Sequence, residues 1–298
     1  MAINRTIYTQ SQVKITTGDF GTTQTDFVVI SGVQNASVTF NTPRKNVNSF
    51  GVRGIIDKVQ VEAETATATV SFILPSGSGE GNHLSPTKFN DLMQNSLLDN
   101  PTGFNVSVAG IGCVYSGLLS SFKINAAVGD LPTCELTFEG IPSGGYVSQN
   151  TDAELPDKIA SVSAQTYYVL TPDRVSGLLA GVGSENGNPA GNNVGNFGAS
   201  VQNASLSWDI PIERVLSLGG SISDASIFTT LPGTSSITAE GLDMPSGITG
   251  LIVGGYKFGI GKVARETSRT HNLAVGEVGA TYNITMESTA DSCNVIDA

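Results

Sequence analysis

The chain has 298 residues, only 14% of them charged, and a formal net charge of −11. So acidic a composition excludes a protein that grips nucleic acid through clustered Lys and Arg, and its 39% hydrophobic content excludes an intrinsically disordered chain. The acidity is uneven: residues 1–150 hold 8 basic and 11 acidic groups, whereas residues 151–298 hold 7 and 15.

The opening "MAINRTIYTQ" has no apolar signal core, which predicts a chain not secreted by that route. The first clear element is "VQNASVTFNTPRKNVNSFG", residues 33–51. Ala36, Val38 and Phe40 alternate with Ser37 and Thr39, the period of a strand with one buried and one polar face. Pro43 ends it, because proline cannot donate to a ladder. The basic pair Arg44 and Lys45 follows, suited to a solvated turn or to ion pairing with acids of another subunit.

"ETATATVSFIL" reads as a longer strand. Ala66, Ala68, Val70, Phe72 and Leu74 fall on one face, and Thr65, Thr67, Thr69 and Ser71 on the other. The "GSGEGN" that follows (77–82) lacks the Lys-Ser/Thr ending and the immediate helix of a phosphate-cradling loop, so a hairpin turn is expected. "SPTKFNDLMQNSLLDNPTG" then reads as a helix. Ser85 suits the N-cap and Pro86 the first turn, while Phe89, Leu92, Met93 and Leu97 form a stripe for packing on the sheet. Pro101 and Gly103 stop it.

"AAVGDLPTCELTFEG" (126–140) is a further strand, with Cys134 on its apolar face. Residues 141–158 are rich in turn formers and read as a linker between domains 1–145 and 146–298. "TPDRVSGLLAG" predicts a short helix capped by Thr171, and the Gly/Asn-rich segment 181–198 a long loop. The apolar stretch 247–261 is broken by glycine and too short to span a bilayer, so no membrane association is expected.

At Val201 the chain repeats itself. "VQNASLSWDIPIERVLSLGG" matches the earlier phrase at nine of the nineteen positions from 33 to 51, at a constant offset of 168. Ala204, Leu206 and Trp208 keep the apolar alternation, and Pro211 ends the copy. The closing strand recurs as well: "LAVGEVGATYNITMES" (273–288) aligns Tyr282, Ile284, Met286 and Glu287 with Cys134, Leu136, Phe138 and Glu139. Matching elements at both ends of each half predict a tandem duplication of a mainly β domain of sandwich or barrel type, the first copy flanked by the helix at about 85–98.

No catalytic constellation emerges. His83 and His271 stand outside any ligand or triad pattern, and the chain has no C-x-x-C, H-E-x-x-H, calcium-loop or G-x-S-x-G motif. The expectation is a protein that is not an enzyme and needs no cofactor or metal. Three cysteines cannot all pair within one chain, which favours a reducing compartment.

An early "V-x-x-A-S-V-x-F" strand together with a closing "AVGDLPTCELTFEG" strand resembles the tail tube proteins of bacteriophages. The resemblance covers both halves. It implies a β-sandwich or barrel with one flanking helix, six such domains per ring, and rings stacked into a tube for DNA passage. With two copies per chain, trimeric pseudo-hexameric rings are the favoured homo-oligomer, and hexameric rings the other possibility. It further implies a virion protein assembled in the host cytoplasm, with sheath, baseplate and tail terminator proteins as partners and genomic DNA passing without specific binding. Thr65, Thr67, Thr69 and Ser71, with the second-half counterpart near "TSSITAEG", would line the lumen or meet neighbouring subunits, as would Arg44 and Lys45. The 1–27 stretch and the 181–198 loop would order against the next ring or an outer sheath. Cys113 and Cys293, less clearly buried by pattern than Cys134, would be positioned for an intersubunit disulfide once particles leave the cytoplasm, with free thiols the simpler state. The alternative is a receptor-binding or adhesin β-module that uses the 181–198 loop for recognition.

Overall fold

Alternating small apolar and hydroxyl side chains suit a pleated surface that is covered on one side and wet on the other. The computed structural model describes residues 13–17, 27–48, 54–60, 62, 64–75, 83–98, 101, 103–108, 112–141, 178–180, 201–215, 226–229, 233–242, 248–253, 255–261, 264–273 and 281–297. Within them the chain is mainly β, in antiparallel sheets. The first half contributes β1 (Val13–Thr17), β2 (Phe27–Ile30), β3 (Val33–Asn41), β4 (Arg44–Val47), β5 (Asp57–Gln60), β6 (Thr65–Ile73), α1 (Pro86–Ser96), β7 (Phe104–Val108), β8 (Gly112–Ala127) and β9 (Thr133–Ile141). The second contributes β10 (Leu178–Ala180), β11 (Val201–Asp209), β12 (Ile212–Val215), β13 (Ser226–Thr229), β14 (Thr234–Gly241), β15 (Ile248–Val253), β16 (Tyr256–Gly259), β17 (Arg265–Asn272), β18 (Thr281–Thr289) and β19 (Asn294–Asp297).

Eight strands form one run in the order β3-β6-β9-β8-β11-β14-β18-β17. Its two four-stranded halves share a register. Ala36 pairs with Val70, and Ala204 with Ala239. Phe72 pairs with Cys134, and Gly241 with Tyr282. Irregularities recur at equivalent points: between Val33 and Asn35 and between Val201 and Asn203, then between Leu119 and Ser121 and between Glu266 and Ser268. At the second irregularity the hydroxyl of Ser120 donates to the Thr137 carbonyl at 3.1 Å, and that of Thr267 to the Thr285 carbonyl at 3.3 Å. A bulge re-aims its strand and raises the local twist, so both halves bend in the same place.

The junction between the halves is β8 against β11, antiparallel from Asn203–Ala127 to Asp209–Ser121. β8 is long enough to serve a second group of strands. Its start pairs with β7, which continues to β1 and β2. The strand changes course at Ser116, whose φ of 47° lies in the left-handed region. Asn105 Oδ1 accepts from the Ser116 N–H at 3.3 Å. Gly103 allows the close approach, since a Cβ there would lie 2.3 Å from Ser116 Cα. Among the described residues no barrel is closed.

One core joins the strands of the two halves and α1. Ala66, Ala68, Val70, Phe72 and Leu74 are all buried, as the alternation requires. α1 starts at Ser85, whose hydroxyl accepts from the Lys88 N–H at 3.3 Å, with Pro86 in the first turn. Its Phe89 ring meets Phe122 of β8 edge-on at 5.0 Å and Phe258 of β16 at 5.7 Å. The helix therefore packs on the sheet and also on strands of the second half. Gln94 Nε2 donates to the Cys293 carbonyl, the Val295 N–H to Asn90 Oδ1, and the Tyr256 hydroxyl to the Leu84 carbonyl. β16 lies between β15 and β19 in a four-stranded sheet with β10.

The short helix expected from Thr171 is not continued at 178–180, which form β10 against β15. The rest of that segment, the 77–82 turn, residues 142–158, the 181–198 loop and most of 1–27 lie outside the described residues.

Candidate functional site

Two features of the eight-stranded run stand out: its polar face and its two outer strands. The polar face is assembled row by row. Thr65, Thr67, Thr69 and Ser71 of β6 are half-buried and lie opposite Asn41, Thr39, Ser37 and Asn35 of β3. On their other side Thr67, Thr69 and Ser71 meet Glu139, Thr137 and Glu135 of β9. The rows continue through Lys123 and Asn125, Ser205 and Ser207, and Ser236 and Thr238 to Thr285 and Glu287. Hydroxyls bridge adjacent strands, Ser207 to Ser236 at 2.8 Å and Thr238 to Thr285 at 3.3 Å. "TSSITAEG" takes in the second four strands the place that the threonine row has in the first. The carboxylates Glu135, Glu139, Asp209, Glu240 and Glu287 are set among these rows, with Lys123 as the central cation. Glu240 accepts from Asn203 Nδ2 at 2.8 Å. Near the β8–β11 junction an open groove of about 460 Å³ is lined in part by Asn125, Asp130, Thr133 and Asn203.

The outer strands are β3 and β17. Their free sides have no strand partner among the described residues. Phe40 of β3 is 37% exposed, whereas its equivalent Trp208 of β11 is fully buried, stacked 5.5 Å from Phe122 and donating from Nε1 to the Ala290 carbonyl. On β17, Arg269 forms a two-pronged ion pair with Glu266, both contacts at 2.8 Å. The hydrogen bond and charge of Arg269 hold the Glu266 carboxyl below its usual value. The His271 ring sits edge-on to Tyr282 at 4.5 Å. Leu273, just beyond β17, is 75% exposed.

The remaining candidates are dispersed. Arg44 and Lys45 are exposed on the hairpin β4–β5, a two-stranded sheet apart from the eight-stranded run. The same hairpin exposes Val47, Ile55, Ile56 and Val59. Cys113 is half-buried on the early part of β8. Cys293, less clearly buried than Cys134 by its sequence pattern, is buried where the chain passes under α1, and burial pushes its thiol up to about 12. An intersubunit bond to Cys113 would therefore require the C-terminal end to open. Cys134 is fully buried, and burial, aided by Glu135, pushes its thiol well up. His83 is buried, its Nδ1 2.9 Å from the Ser31 hydroxyl.

Among the described residues no group of three or more His, Cys, Asp or Glu could hold a metal, and no helix is long and apolar enough to cross a membrane. The sequence missed the double use of β8 and the contrast between β3 and β11. The repeat held the second signal, since equal letters with unequal neighbours mark where a neighbour is lacking. No family model matches the chain, and no curated protein matches it.

Proposed function

We propose that the chain is a structural subunit of a bacteriophage tail tube, built from two tandem copies of one β domain, with the β7–β1–β2 branch as the second layer of a sandwich in the first. One observation carries the reading: two four-stranded units with matching registers and bulges stand side by side in one sheet, and that sheet ends in two outer strands. A chain that already joins two units through strand pairing contains the geometry for joining more. Six units would close a ring from three chains, because a head-to-tail interface closes when its rotation divides the circle. Pairing would remove the outer edges that otherwise invite uncontrolled association.

The polar face would then line the channel. It presents hydroxyl and amide groups with more carboxylates than cations, and so offers phosphates little to hold. DNA would slide through without specific binding. Sheath, baseplate and terminator proteins are the partners this reading implies, and the virion its location.

Negative-stain electron microscopy of the concentrated purified chain tests the reading. Hollow tubes of stacked rings are the expected result. Persistent monomers that bind glycans would overturn it in favour of a receptor-binding module.

A further inference from the structure

The internal junction is a template. β8 offers one side to β9 and the other to β11. β17 is the equivalent of the later part of β8: it pairs with β18 as β8 pairs with β9, through the same bulge. Its other side therefore presents the backbone groups that β8 gives to β11. Likewise β3 pairs with β6 as β11 pairs with β14, so its outer side presents the groups that β11 gives to β8. Two complementary strand edges thus stand at opposite ends of one chain. At roughly 4.8 Å per strand spacing, eight strands separate them by about 34 Å.

We infer that β3 of one chain pairs antiparallel with β17 of a second copy in the register of the β8–β11 junction. Ala204–Ala126, Leu206–Ile124 and Trp208–Phe122 of the junction become Ala36–Leu273, Val38–His271 and Phe40–Arg269 between chains. The hydrogen bond from the Ile210 N–H to the Ser120 carbonyl becomes one from Thr42 to Thr267. This deepens the self-assembly reading above by naming the strands and the register.

The side chains suit the pairing. Leu273, at 75% exposure, gains the small Ala36 as its neighbour, which leaves room for its bulk. Phe40 gains the guanidinium of Arg269, already oriented by Glu266, and an arginine against an aromatic ring is favourable. On the polar face the register sets Ser37 against Asn272, Thr39 against Thr270 and Asn41 against Ser268. None of these pairs is charged, so no like charges meet across the seam.

Disulfide trapping reads the register directly, since bridged Cα atoms must lie within about 7 Å. Thr39→Cys and Thr270→Cys are made as separate single variants and mixed before mild oxidation. The expected result is a covalent dimer on a non-reducing gel, at about tenfold the yield of a Thr39→Cys and Asn272→Cys mixture set two residues out of register. Neither single variant alone should give that band. Tubes without the in-register dimer would overturn the pairing and leave the tube reading standing. The in-register dimer without tubes would keep the pairing and remove the tube. A chain carrying both Thr39→Cys and Thr270→Cys that links only within monomers would overturn both.

Discussion

Gly103 and Ser116 hold the point at which one strand turns to serve two groups of partners. A methyl at Gly103 would lie 2.3 Å from the Ser116 backbone, where no flexible side chain can yield. Gly103→Ala should therefore cost about 1–3 kcal/mol, measured by urea unfolding with Trp208, the chain's one tryptophan, as the fluorescent probe. An unchanged midpoint would mean that β8 relaxes freely at the bend. His83 makes a pH prediction. Burial, with a smaller effect from Lys88, holds its pKa below the ordinary 6.5. The unfolded chain therefore takes up a proton before the folded one does, and stability falls as pH drops below about 6.5. The urea midpoint should decline between about pH 7.5 and about pH 5.5, and His83→Asn should lessen that decline. Equal slopes would assign the effect to other groups. Cys134 was legible as a buried thiol because its strand alternates. Cys293 was not, because it follows a 3-10 turn at 290–292 and its cover is a helix some two hundred residues earlier.

At the scale of elements, α1 was readable in its cap, its start and its apolar stripe, all of which are local. Its partners were not, since a stripe states only that something covers it. Part of that cover is β19, which pairs with β16 and donates through Val295 to Asn90 at 3.0 Å. The last strand of the chain thus clamps a helix of the first half. Deleting residues 294–298 removes a buried valine, one edge of a sheet and that hydrogen bond, and should cost about 3 kcal/mol. A lower melting temperature together with loss of α1 helicity would be seen by circular dichroism. Unaltered melting would show that the contacts of α1 with Phe122, Phe258 and Cys293 suffice without β19. β3, β6, β9, β11 and β18 were legible through their period of two. The neighbour of each was not, and β3 shows why: it carries the letters of β11 but lacks a β8 beside it.

For the whole molecule, the outer edges and the polar face make separable predictions. Leu273 is so exposed that Leu273→Asp should leave the melting temperature unchanged while slowing polymerisation about tenfold, through loss of apolar cover and a new charge at the seam. Light scattering at matched concentrations would measure it, and equal rates would place the contact elsewhere. Glu139→Lys with Glu287→Lys, at equivalent points of the two units, should leave assembly intact but make tubes retain DNA at about 50 mM salt and release it near 200 mM. Tubes that stay free of DNA in a co-sedimentation assay would show that this face does not line the channel. The likeness of the two four-stranded units was legible because their first and last strands carry matching letters, although the stretch between them is shorter in the second unit. The covalent tie between the two units also has an arithmetic consequence. Any closed ring made from whole chains contains an even number of units. Rings of five or seven units, one unit away from six, are therefore forbidden, and the smallest available error is a missing or extra pair.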